Sequence, residues 1–161
     1  MDSATTRGSV TGIFHAVIVV SSMDVALTFY RDLLGMTVTF DAEHDPASIR
    51  TLLRIDDARV RSVIVSCPDG SEVELAEYLS GGSATARRRF EEPGINLLSI
   101  RVEGIEELIG RIEEAGYRFT SPLVAQPLPD GRLVKVAVCI GPDTTPVTLT
   151  QLPDHRRSLG G

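Results

Sequence analysis

The chain repeats itself. The stretch GIFHAVIVVSSMDVALTFYRDLLGMTV, residues 12–38, has a counterpart in GINLLSIRVEGIEELIGRIEEAGYRFT, residues 94–120. Gly12-Ile13 matches Gly94-Ile95, Ile18 and Val20 match Ile100 and Val102, and Gly35 matches Gly116 with one residue lost between. Further on, CPDGSEVELAEY, residues 67–78, matches GPDTTPVTLTQL, residues 141–152. There Pro68-Asp69 meets Pro142-Asp143, and Val73 and Leu75 meet Val147 and Leu149. Blocks recurring in a fixed order predict an internal duplication. The 161 residues then hold two small modules on a shared core, which removes most folds open to a chain of this length.

Within the first module, residues 13–20 are apolar and rich in β-branched residues, which predicts a strand. One polar residue interrupts it, His15. Ser21 and Ser22 offer N-caps, because a short hydroxyl accepts from the orphan amides of a first turn. Val25, Ala26, Phe29, Leu33 and Leu34 follow at helical spacing, and Gly35 stops the helix. Met36–Phe40 returns as strand, and DAEHDPAS reads as a turn-rich stretch. Pro46 then opens a short helix with Ile49, Leu52 and Leu53 on one face. That helix is either a connector packed on the sheet or a wall of a ligand pocket, with Arg50 or Arg54 reaching an anionic group. Strands at 58–67 and 72–78 flank a Pro68-Asp69-Gly70 turn. Alternation places Glu72, Glu74 and Ala76 on one face of the last strand, opposite Val73, Leu75 and Glu77.

The second module follows the same order: a strand from 96 to 102, a helix with an Ile105, Leu108, Ile109, Ile112 stripe, and a short strand at 117–120. A Pro-rich loop leads to strands at 133–140 and 146–152. The expected organisation is a flexible arm at 1–10, module one at 11–79, a linker at 80–93, module two at 94–152 and a tail at 153–161. Arg87-Arg88-Arg89 in the linker, followed by Glu91-Glu92, reads as a solvated face. The tail carries His155, Arg156 and Arg157.

Charge and composition narrow the partners. A net charge of −6 opposes binding to nucleic acid or anionic membrane, and 5% aromatic residues leave little for base stacking. No apolar run reaches the length of a membrane span, and residues 1–9 have no signal-peptide core, so a cytoplasmic protein is expected. Cys67 and Cys139, at matching strand ends, are expected as free thiols.

The strand histidine, the FY-containing helix ending in LGM, the PDGSEVELAEY block and the second-half copy together resemble the vicinal oxygen chelate superfamily. That group includes glyoxalase I, methylmalonyl-CoA epimerase, extradiol dioxygenases, and fosfomycin-resistance and bleomycin-binding proteins. The resemblance covers residues 11–152. It implies an α+β fold of two tandem βαβββ modules, whose curved mixed sheets form a cup around a small ligand. It also implies a divalent metal held by a first-strand histidine and a last-strand carboxylate from each module, with Gln sometimes substituted. Homodimers, common in the family, would cover the open sheet edges.

Carried over by position, His15 and Glu74 are the candidate catalytic and metal-ligating residues of module one. Leu97 stands at the histidine position of module two and Thr148 at its carboxylate position. Leucine cannot ligate, and a neutral threonine hydroxyl is a poor ligand for Zn²⁺, Ni²⁺ or Fe²⁺, ions that need about three or four protein ligands. Glu43 and His44 are spare donors in the loop expected after the second strand. His15 and Glu74 then form a leftover buried pair, a partial metal site, or a metal-free acid–base pair.

Two functions stand side by side. One is a cup binding a small organic molecule without a complete metal centre. The other is a lyase, isomerase or epimerase acting by acid–base chemistry through His15 and Glu74, with or without a divalent metal. A regulatory or purely structural dimer is a third, weaker reading. Glutathione-dependent glyoxalase chemistry is not expected.

Overall fold

Two sheets, one of four strands and one of five, carry the molecule. The computed structural model describes Val10, residues 12–82, Gly94 and residues 97–153. Most of the expected arm, most of the linker with its arginine run, and most of the tail with His155 to Arg157 lie outside the described residues.

The first sheet runs in the order β1 (Ala16–Val20), β4 (Glu72–Ser80), β3 (Arg59–Ser66), β2 (Thr37–His44). The second runs β5 (Leu98–Arg101), β9 (Pro146–Gln151), β8 (Leu133–Ile140), β6 (Arg118–Phe119), and β7 (Val124–Pro127) also pairs with β8. In each sheet the first strand lies parallel to the last, with Val17 beside Glu74 and Ser99 beside Thr148. The helix after the first strand carries the chain to the far side of the sheet, from β1 to β2 and from β5 to β6, and antiparallel strands bring it back beside the first. The architecture is therefore α+β, two βαβββ modules in tandem, with curved mixed sheets forming a cup.

Local chemistry explains the elements. Ser22 caps α1 (Met23–Leu27), its hydroxyl accepting from the Val25 amide, and Thr28–Leu33 continues as π-helix. Gly35 ends this run at φ 76°, where a side chain would be strained. The helix–strand unit thus begins and ends where the sequence predicts, but its second half is wider than an α-helix. β1 starts later than the apolar run does. Its ladder begins at Ala16 opposite Val73, so His15 immediately precedes the strand instead of lying within it.

The stretch expected as a turn after Phe40 is strand. Asp41 to His44 continue β2 against β3, helped by ion pairs of Asp41 with Arg61 and Glu43 with Arg59. The cross-strand pairing offsets the low strand propensity of these residues. Helix α2 (Pro46–Leu53) opens on Pro46 behind an Asp45 cap. It seats only Ile49, against Ala58, Val60 and Ala76, while Leu52 and Leu53 stay exposed. The expected three-residue apolar face is therefore one residue wide. In module two, the Pro-rich loop contains β7. Prolines are tolerated there because this strand lies off the main ladder and Pro127 closes it.

Both modules share one core. Val63, Val65, Val73 and Leu75 of the first sheet and Cys139, Val147 and Leu149 of the second pack with Phe29, Tyr30, Ile105 and Ile112. Phe29 meets Tyr117 across the module boundary at 4.7 Å between ring centroids. Helix α3 (Ile105–Glu114) has no side-chain cap of its own. Instead the Gln151 amide oxygen accepts from the Ile105 backbone at 2.8 Å. Both cysteines are free; burial pushes the Cys139 thiol up to about 11.

Candidate functional site

Strand parity decides which side chains face the cup. Val73 and Leu75 enter the core, so Glu72 and Glu74 point the other way, as the sequence alternation predicts. The same count puts Val17, Val19, Ile64 and Phe40 on that face of the first sheet. In the second sheet Val147 and Leu149 are core residues, so Thr148 and its neighbours Ser99 and Val138 face the cup.

His15 and Glu74 meet. His15 Nε2 lies 2.9 Å from Glu74 Oε2, with the two side chains 17% and 19% exposed. Ala16 lies beside Val73, so His15 falls level with Glu72, on the cup face, and its ring reaches two residues along β4 to Glu74. The Phe14 ring lies against the imidazole at 4.5 Å between centroids, itself largely exposed. His15 Nδ1 is buried and has no hydrogen-bond partner among the described residues. A neutral imidazole bonded to a carboxylate through one nitrogen keeps the other as acceptor, so the arrangement can relay a proton or hold a ligand donor.

The matched positions of module two are different in kind. Leu97 presents an aliphatic side chain that is 44% exposed. Thr148 is 8% exposed, and its buried Oγ1 has no hydrogen-bond partner among the described residues. Ser99 and Thr150 hydroxyls lie 3.3 Å apart on the same face. The cup thus has one wall with a histidine–carboxylate pair and another with aliphatic groups and neutral hydroxyls.

The spare donors do not join the pair. Glu43 projects to the opposite face and pairs with Arg59. His44 stacks on Phe40, 6.4 Å between centroids, at the level of Val60 and Tyr78. Glu74 lies level with Ile64 and Phe40. Four residues of strand separate the two levels, about 13 Å at the usual rise. Among the described residues no group of three or more His, Cys, Asp or Glu side chains is placed to hold a metal ion. One imidazole and one carboxylate do not fit the four-ligand set that the resemblance implies. Arg50 and Arg54 are exposed on and just after α2, which covers the far end of the same cup face.

Several cup residues were not singled out in the sequence. Phe14, Val17, Val19 and Phe40 expose apolar surface beside the pair. Alternation against the Val73–Leu75 core rows was the signal that could have found the strand members. A small polar cluster, Ser66 Oγ donating to Glu72 Oε1 at 2.8 Å with the Thr39 hydroxyl 3.2 Å from Ser66, sits at the end of the same face. A bulge between Val38 and Phe40 brings Thr39 to it, which alternation alone does not predict.

Comparison with known proteins agrees with this architecture. A glyoxalase family protein from Bacillus cereus superimposes with a TM-score of 0.79 at 18% identity, covering 92% of this chain and 98% of that one. A glyoxalase family protein from Enterococcus faecalis gives 0.63 at 24% identity, covering 87% and 97%. The trypanothione-dependent glyoxalase I of Leishmania major gives 0.59 at 18% identity, covering 86% and 84%. At these identities the likeness is one of fold. No curated protein matches the chain in sequence. No helix among the described residues is long and apolar enough to cross a membrane. The sequence model of one family, however, matches residues 14–134, from the aromatic residue beside His15 to the start of β8. By that match, in a chain already folded as two βαβββ modules around a cup, the protein belongs to the Glyoxalase/Bleomycin resistance protein/Dioxygenase superfamily.

Proposed function

We propose that this protein binds a small, largely apolar organic molecule in its cup, without a complete metal centre. The observation that carries the reading is the inequality of the two walls. His15 and Glu74 satisfy each other on one, while Leu97 and Thr148 take the matched places on the other. A ligand would lay its apolar body on Val17, Val19, Phe40 and Leu97. It would place a hydrogen-bond donor toward Glu74. Exposed apolar groups around a few polar ones are the usual composition of a ligand site.

A second reading is favoured by the His15–Glu74 hydrogen bond itself. In it the protein is a lyase, isomerase or epimerase, with Glu74 as general base and His15 as proton partner. Both side chains are mostly screened from water, which strengthens their mutual effect. We also propose a cytoplasmic homodimer, because β1, β2 and β5 leave open sheet edges. Sedimentation at micromolar concentration checks this, a monomer being the contrary result.

The deciding experiment measures metal content and turnover together. Protein purified without chelator or affinity metal should hold far less than one divalent ion per chain. With methylglyoxal and glutathione plus added Zn²⁺, Ni²⁺ or Mn²⁺, it should show no metal-dependent turnover. Stoichiometric metal with turnover of about 1–10³ s⁻¹ would overturn the binding reading.

A further inference from the structure

We infer that the two Pro-Asp turns are reciprocal clasps, each holding the end of the opposite module's first strand and so setting the spacing of the cup walls. The turns occupy matching places, Pro68-Asp69 between β3 and β4 and Pro142-Asp143 between β8 and β9. They close with matching backbone bonds, the Cys67 amide to Ser71 oxygen at 2.8 Å and the Gly141 amide to Thr145 oxygen at 2.8 Å.

Each turn then sends its carboxylate across the module boundary. Asp143 Oδ2 accepts from the Ser21 backbone amide at 2.8 Å, and its Oδ1 accepts from the Ser21 hydroxyl. Ser21 directly follows β1, the strand that His15 leads into. In the other direction, Asp69 Oδ1 is steadied by the Ser71 amide at 3.1 Å and hydroxyl at 2.6 Å. Its Oδ2 accepts from the Arg101 guanidinium at 2.8 Å. Arg101 is the last residue of β5, the strand that Leu97 leads into.

Among the described residues no strand of one sheet pairs with a strand of the other. The wall spacing is therefore left to the shared core on the helix side and to contacts such as these beyond it. Bonds to a charged acceptor are the strong, directional kind. Asp69 and Asp143 are thus positioning residues, each acting on the far wall through the strand it holds. The two clasps differ in chemistry. Asp69–Arg101 is an exposed ion pair and is weakened by salt, whereas Asp143 holds an amide and a hydroxyl.

Hydrogen exchange of the full chain, resolved by peptide, separates a clasp from a local turn. Asp143→Ala should raise exchange at Val19–Ser21 about tenfold, the effect of losing one charge-assisted bond, and leave β5 unchanged. Asp69→Ala should do the reverse, speeding Ile100–Val102 and sparing β1. Asp69→Asn and Asp143→Asn keep the turn geometry and should give smaller effects in the same crossed pattern. In the wild type, 0.5 M salt should loosen the end of β5 and not that of β1. Exchange rising only within the altered turn, or equally in both first strands, overturns the inference. If the alanine variants do not fold, the asparagine variants and the salt experiment decide, and equal response of β1 and β5 to salt counts against it.

Discussion

The two modules use one frame for different ends. At the positions that build the frame they agree: Leu75 and Leu149 are fully buried partners in the last strands, and Val73 and Val147 precede them in the core. At the positions that face the cup they part, His15 against Leu97 and Glu74 against Thr148. The turn before the last strand shows a third kind of difference. Module one places Gly70 at φ 83°, and module two keeps a positive φ of 59° at the matched Thr144. A β-branched residue there is strained. After duplication, core rows are constrained from both modules at once through shared packing, whereas cup positions lie outside that packing. A positive φ is retained at this position even where its residue is unsuitable, although the turns differ just before it, Asp143 being left-handed at φ 53° and Asp69 not.

If the frame positions are equivalent, Leu75→Ala and Leu149→Ala should each cost about 2–5 kcal/mol of stability and match each other closely, because both open a cavity in one core. Urea denaturation measures both. A large inequality would break the symmetry of the frame.

The cup positions test the opposite half of the comparison. Leu97→His with Thr148→Glu copies the module-one donors into module two. Divalent-metal affinity by calorimetry should rise by more than about 100-fold, since two inner-sphere ligands outweigh the second-shell changes that already cost 10–100-fold. No gain would mean that the two walls are not related as the repeat implies.

Thr148 sharpens the same contrast at smaller scale. Its hydroxyl is buried and unpaired, so Thr148→Val should stabilise the protein by about 1 kcal/mol in thermal unfolding. Glu74→Ala should destabilise by about 1–3 kcal/mol, because it strips His15 of its partner.

The turns give the smallest effect. Thr144→Gly relieves a left-handed residue at about 1–2 kcal/mol but adds the backbone entropy of glycine, about 0.5–1 kcal/mol, leaving a gain of about 0.5–1 kcal/mol. By the same balance Gly70→Ala should lose about 0.5–1 kcal/mol at the matched site. Equal and opposite shifts in denaturation midpoint would tie the two turns to one geometry.

Much of the frame was legible because it rests on local periodicity. The alternation of Val73, Glu74 and Leu75 predicts which side enters the core, and the Pro46 start of α2 and the Gly35 stop follow from backbone geometry. The partnership of His15 with Glu74 was also legible, through the family resemblance, which puts both at ligand positions of one module. Asp41–His44 was misread as a turn because its charged residues have low strand propensity; pairing with Arg59 and Arg61 of β3 holds them extended. Leu52 and Leu53 share the apolar face expected for α2 yet stay exposed, because helical spacing shows an apolar face without showing how much of it finds a neighbour.

By itself the sequence determined the duplication, the two modules and the unequal donor sets, since each of these is a property of residue identity and spacing. Only the tertiary structure decided that Glu43 leaves the cup and that Thr148 buries an unpaired hydroxyl. It alone decided that each Pro-Asp turn reaches the other module. These depend on register, a bulge and the docking of two sheets through a common core, and such contacts join residues too far apart in the chain for any local pattern to carry them.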